Sequence, residues 1–156
     1  MAQAVITLAE RLLQKRWMLA TAESCTGGLI AGACTDVSGS SAWFERGFVT
    51  YSNAAKSELL GVDAQLIAEH GAVSEPVARA MAQGALKRSH AQIAVAVTGV
   101  AGPTGGTPEK PVGLVWFGFA LADRVHSESM QFAGDRAAVR AATVQHALQR
   151  LNELLR

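Results

Sequence analysis

Gln92 to Thr98 reads QIAVAVT, and this run limits the possible folds more than any other stretch of the chain. Its apolarity is continuous rather than alternating, as in strands covered on both faces, and such strands belong to sheets sandwiched between helices. The flanking segments supply those helices. Ala2 to Lys15 places Val5, Leu8, Leu12 and Leu13 at helical spacing, with Glu10, Arg11, Gln14 and Lys15 left for water. WMLATA, Trp17 to Ala22, is a second short strand that stops at Glu23, after which Leu29, Ile30, Ala33, Cys34 and Val37 return to helical period. Trp43 to Tyr51 suits a strand beyond a serine-rich loop. Three helices are predicted next: from a cap at Asn53 to Gly61, from Asp63 to near Gly71, and from Ser74 with Pro76 in its first turn and Val77, Met81 and Ala85 on one face. Val112 to Leu121 and Val125 to Phe132 read as a hairpin turning through Ala122-Asp123-Arg124. The last helix starts near Asp135 and buries Val144, Leu148, Leu151 and Leu155. Helices interleaved with strands, plus one hairpin, predict an α/β fold, a three-layer α/β/α sandwich around a mixed, mostly parallel sheet. Residues 1–156 read as a single domain with no linker and no internal repeat.

Charge removes whole classes of function. With 14 basic and 13 acidic residues the formal net charge is +1, too balanced for the broad positive face of a nonspecific nucleic-acid binder, so no nucleic-acid partner is expected. A small anionic ligand stays compatible. Cys25 and Cys34 lack the paired spacing of a zinc site, and His70, His90, His126 and His146 are scattered, so neither a metal nor another cofactor is expected. Acidic and basic residues interrupt the N-terminal segment, which therefore reads as neither signal peptide nor membrane span; a cytoplasmic location and no membrane partner are expected.

Four segments carry residues suited to chemistry. In AESCTGG, Ala22 to Gly28, a strand-to-helix turn sets the Ser24 hydroxyl and the Cys25 thiol beside unpaired backbone N–H groups. Such donors, near Thr26 and Gly27, can hold an anion or the oxyanion of a carbonyl under attack; a plain helix cap with tight Gly-Gly packing is the alternative. Cys25 competes with Ser24 as nucleophile or is a buried structural thiol, and Cys34 is assigned to packing. In FVTYSNAAK, with Asn53 as cap, Lys56 takes the third helical position, where the helix dipole disfavours an ammonium. Partial burial there gives a lysine base, whereas full solvation gives an ordinary surface residue. Tyr51, the only tyrosine, reads on its own as a half-buried strand residue with a satisfied hydroxyl. TGVAGPTGG, Thr98 to Gly106, includes Gly99 and Gly102 and lets backbone approach a ligand closely, or is a mobile turn; it matches neither a Rossmann nor a Walker pattern. In GDRAAVR, Arg136 and Arg140 lie one helical turn apart and can grip a phosphate, or are merely solvated.

Taken in order, AESCTGG, SSAWFERGFVTYSNAAK, HGAVSEPVA and VTGVAGPTGG with KPVG resemble the CinA C-terminal domain family over nearly the whole chain. The resemblance implies the three-layer sandwich and, for stand-alone members, a nicotinamide-nucleotide amidase that hydrolyses nicotinamide mononucleotide to nicotinate mononucleotide and ammonia in NAD recycling. It implies Ser24 as nucleophile, Lys56 as general base, Tyr51 as the accompanying hydroxyl and Thr98 as a site position. It further implies Arg136, or less directly Arg140, as the contact for substrate phosphate, with Cys25, Thr26, Gly27, Gly99 and Gly102 around the substrate. The metal-dependent pyrophosphatase activity of full-length CinA proteins is not expected. Two other readings stay open, a non-catalytic nucleotide-binding or interaction module and an amidase for another pyridine nucleotide amide. Trp43, Phe44 and Phe48 suggest apolar surface for a homo-oligomer, most simply a dimer.

Overall fold

The computed structural model describes residues 1–156 and contains one five-stranded sheet. Its strands are β1 (Leu19–Glu23), β2 (Phe44–Val49), β3 (Ile93–Gly99), β4 (Leu114–Leu121) and β5 (Arg124–Gln131), in the spatial order β2-β1-β3-β4-β5. The β1–β2 and β1–β3 pairs are parallel and the β3–β4 and β4–β5 pairs antiparallel, so only β4 runs against the others. Helices α1 (Ala2–Lys15), α2 (Leu29–Thr35) and α6 (Arg136–Leu154) cover one face. Helices α3 (Asn53–Leu60), α4 (Ala64–His70) and α5 (Glu75–Lys87) cover the other. This is the predicted three-layer sandwich with a mixed sheet.

Side-chain size sorts the two faces. Within QIAVAVT, Ile93, Val95 and Val97 enter a core of 22 buried residues with α1 and α6, joined there by Val115, Phe117 and Phe119 of β4. The alternate positions are small, Ala20 and Ala22 of β1, Ala94 and Ala96 of β3 and Ala120 of β4, and they meet α5 in a second cluster of 12. Small residues let that helix sit close to the sheet. At Gly118 of β4 a Cβ would come within 3.2 Å of the Ala82 methyl and nearer still to the Ala78 backbone.

Several expectations need correction. Leu13 is 51% exposed, because the inward stripe of α1 is Val5, Leu8, Ala9 and Leu12 and Leu13 falls just off it. Trp43 is buried in the larger core, edge-on to Phe44, so it contributes no surface apolar patch. The exposed large apolar residues include Leu29, Val49 and Tyr51 instead. The cap of α3 is Ser52, whose Oγ accepts from the Ala55 N–H at 3.0 Å; Asn53 is already helical. Lys56 is therefore the fourth helical residue, and its own N–H donates to Ser52 O. Ser74 precedes α5 as predicted, but its hydroxyl donates to Gly71 O rather than capping the helix.

Candidate active site

The chain leaves β1 through α2 on one face of the sheet, and returns from β2 through α3, α4 and α5 on the other. The carboxyl ends of β1 and β3 thus flank a topological switch point, where open α/β sheets form their ligand crevices. Ser24 follows β1 directly, and Thr98 and Gly99 close β3. The Ser24 N–H donates to Val97 O at 3.1 Å, which fixes the serine to the neighbouring strand end.

Lys56 reaches the same point from α3. It is 1% exposed, and its Nζ lies 3.0 Å from Ser24 Oγ, 3.0 Å from Thr50 O and 3.2 Å from Tyr51 O. Burial pulls its pKa below the usual lysine value, with only the nearby Cys25 acting in the opposite sense. The contacts suit an uncharged amine. In the uncharged form, which burial favours, two N–H groups would meet the two carbonyls and the lone pair would face the serine hydroxyl. No aligned carboxylate is present among the Nζ partners to stabilise an ammonium.

The turn between β1 and α2 is held by a residue that the sequence reading passed over. Glu23 is fully buried, and its carboxylate accepts from Thr26 Oγ1 at 2.5 Å, Ile30 N at 2.9 Å and Ala31 N at 3.0 Å. The signal for it was an acidic residue ending an apolar strand immediately before a helix. Its consequence is that the first amides of α2 are already satisfied internally. Among the turn amides, Gly27 N–H donates to Ser24 O at 3.2 Å, while those of Cys25 and Thr26 have no protein partner. Gly27 and Gly28 both have positive φ, 56° and 108°, which lets the chain reverse here without side-chain strain.

A cleft of about 240 Å³ opens over the pair. Ser24, Cys25, Tyr51, Lys56, Thr98, Gly99 and Arg136 line it, together with Asn53, which the sequence reading took only as a helix cap, and Ala72, Val73 and Ala101, which it did not single out. A larger concavity at the opposite end of the strands, near Trp17 and Arg124, holds none of these groups. Thr98 Oγ1 donates to Ala72 O at 2.9 Å. Tyr51 lies beyond the end of β2 and is 63% exposed, not half-buried; its hydroxyl stands 3.5 Å from Arg136 Nη2. Arg136 also donates to Gly102 O at 2.8 Å, and it borders a second cleft of about 460 Å³ that shares Ala101 with the first. Gly102 itself borders neither cleft. Arg140, one turn along α6, lies outside both, with Nε 3.1 Å from Cys25 O and Nη2 3.2 Å from Thr26 O. Cys25 is buried and its thiol is pushed up to about 11, chiefly by desolvation, so it stays protonated near neutral pH.

An α/β sandwich with a serine hydroxyl against a buried, charge-disfavouring amine at its switch point has the form of a serine–lysine site. Residues 2–155 match the CinA C-terminal domain family, and the chain belongs to that family. It is 57% identical over 145 residues to a nicotinamide-nucleotide amidohydrolase PncC of Enterobacter agglomerans, covering 92% of this chain and 88% of that protein. A PncC of the same description from Escherichia coli K12 is 58% identical over 132 residues, covering 84% of this chain and 80% of that one. Among solved structures, the competence/damage inducible protein CihA of Agrobacterium tumefaciens superposes with a TM-score of 0.92 at 48% identity, covering 98% of this chain and 96% of that one.

Proposed function

We propose that this protein is an amidohydrolase that converts nicotinamide mononucleotide and water to nicotinate mononucleotide and ammonia, within NAD recycling. The observation that carries the proposal is the 3.0 Å separation of Ser24 Oγ and Lys56 Nζ. The high identity to amidohydrolases of that description supplies the substrate.

In this reading the Lys56 lone pair takes the Ser24 proton as Oγ attacks the carboxamide carbon. The carbonyl oxygen becomes an oxyanion, for which the unpaired Cys25 and Thr26 N–H groups are the available donors. Lys56 returns its proton to the leaving nitrogen, the C–N bond breaks, and ammonia departs from a Ser24 acyl ester. Water, deprotonated by the same amine, then cleaves the ester and restores the hydroxyl. Tyr51 and Thr98 border the reacting group, and Arg136 receives the phosphate where the two clefts join, beside the N-terminus of α6. The unpaired thiols of Cys25 and Cys34 fit a cytoplasmic enzyme. Exposed Leu29 and Val49 give a homodimer its contact surface, checked by light scattering in solution.

The direct test is incubation with nicotinamide mononucleotide, with and without chelator, and identification of product by mass. Nicotinate mononucleotide with stoichiometric ammonia is expected in both cases. Saturable binding without product would instead support a non-catalytic nucleotide-binding module, and loss of activity in chelator would contradict the metal-free route.

A further inference from the structure

Arg140 resembles Arg136 in sequence, one turn away on the same helix, yet the two guanidinium groups do different things. Arg136 lines the cleft over Ser24, whereas Arg140 approaches the nucleophile turn from the far side, over a separate hollow formed with Leu29, Gly32 and Ala33. Both of its contacts are to backbone carbonyls, Cys25 O at 3.1 Å and Thr26 O at 3.2 Å. Arg140 lines neither the cleft over Ser24 nor the one that adjoins it, so a phosphate held there would meet Arg136 first.

We propose that Arg140 is a positioning residue that aims the Thr26 N–H at the oxyanion. In a trans peptide the C=O and the following N–H point in opposite directions, so a group that grips one carbonyl sets the direction of the next amide. At Thr26 O the grip is shared with the Leu29 N–H at 3.1 Å, and the Gly27 N–H of that peptide is turned back over the loop onto Ser24 O at 3.2 Å. The neighbouring grip, on Cys25 O, turns the Thr26 N–H away from Arg140 in the same manner, and this amide has no protein partner. From the opposite side, Glu23 holds Thr26 Oγ1 and the amides of Ile30 and Ala31. The turn is thus fixed at its carbonyls by a cation and at its donors by an anion. Of its amides, those of Cys25, Thr26 and Gly28 are left without a protein partner, and Arg140 bears on the Thr26 one.

This inference rests on the amidohydrolase reading, and the experiment separates the two. Ammonia release is measured for wild type, Arg140→Ala and Arg140→Lys with nicotinamide mononucleotide and with nicotinamide riboside, which lacks the phosphate. Misdirecting one oxyanion donor is expected to lower kcat by roughly 10²-fold in Arg140→Ala for both substrates, with KM changed less than about threefold. Arg140→Lys, which keeps one cationic donor, is expected to recover part of kcat. Arg140→Ala that keeps kcat, or that raises KM for the mononucleotide alone, overturns the positioning role; the second result would make Arg140 a phosphate contact. If Arg140→Ala does not fold, the same kcat and KM comparison on Arg140→Lys decides, with an unchanged kcat counting against the proposal. Absence of turnover in wild type would remove the amidohydrolase reading, and this inference with it.

Discussion

At the scale of single residues, the protonation of two neighbouring groups near neutral pH decides which can act. Ser24 and Cys25 are adjacent, and reactivity alone would favour the thiol. Burial reverses that preference, since desolvation raises the Cys25 thiol to about 11 while it lowers the neighbouring amine. Cys25→Ala is therefore expected to keep ammonia release within a few-fold of wild type, whereas Ser24→Ala and Lys56→Ala, each still folded by circular dichroism, lose at least about 10³-fold. Near wild-type turnover in either of the latter two would remove that residue from the chemistry. The amine also sets a pH signature. In the proposed mechanism an uncharged Lys56 is the active form, so kcat/KM should rise with pH along a limb whose apparent pKa lies below the ordinary lysine value. Stability follows the same sign. Between the lowered folded pKa and the unfolded value of about 10.4 the unfolded chain binds more protons, so the free energy of unfolding rises with pH there. Below the folded pKa the penalty is full and constant. Denaturant unfolding at several pH values should show this rise in wild type and not in Lys56→Met.

The elements matter because they deliver these residues to one point. The proposed chemistry needs α3 close to the end of β1, and α5 backs the end of α3 closely at Gly84. A Cβ at Gly84 would stand 3.0 Å from the Leu60 carbonyl carbon, with the oxygen nearer still, so Gly84→Ala must push back the end of the helix that carries Lys56. Alanine gains about 1 kcal/mol of helix propensity, but the crowding is against backbone that cannot rotate away. A lower thermal midpoint with a loss of kcat is the expected outcome; a higher midpoint with full activity would show that α3 has freedom to shift. Glu23→Gln puts an amide NH₂ among three donors, and about 2 kcal/mol of stability should go, a fall of about 4–8 °C in midpoint. Much of this framework was legible beforehand. The continuous apolar run QIAVAVT already marks a strand covered on both faces, and the strand-turn-helix at AESCTGG places Ser24 correctly at a strand exit; the I-A-V-A-V sorting by size shows its meaning only once the two helix layers are in place. Other features were not legible, because they depend on residues distant in the chain. Arg140 and the Cys25 carbonyl are 115 positions apart, so its choice of backbone over ligand has no local signature. The Ser52 cap was missed because Ser and Asn are both good caps and they are neighbours.

Across the whole molecule, the hairpin and the last helix are tied by one carboxylate remote from the cleft. Glu128 of β5 lies 2.7 Å from His126 Nε2, 2.6 Å from His146 Nε2 and 2.8 Å from Arg150 Nε. Burial opposes its ionisation, yet the hydrogen bonds from His126, His146 and Arg150 outweigh it and hold the carboxyl at about 2. A depressed folded pKa contributes stability that is present above the unfolded value of 4.5 and lost as pH falls toward 2. Acid unfolding of Glu128→Gln should accordingly be flatter than wild type across that window, and an identical slope would show that the cluster adds nothing. In the proposed mechanism the sandwich, its switch point and the buried amine serve one covalent event. Acid quench of wild type during turnover of nicotinamide mononucleotide, followed by peptide mass mapping, should find the nicotinate mononucleotide acyl group on Ser24 and nowhere else. The same acyl mass on Cys25, or its persistence in Ser24→Ala, would contradict the account.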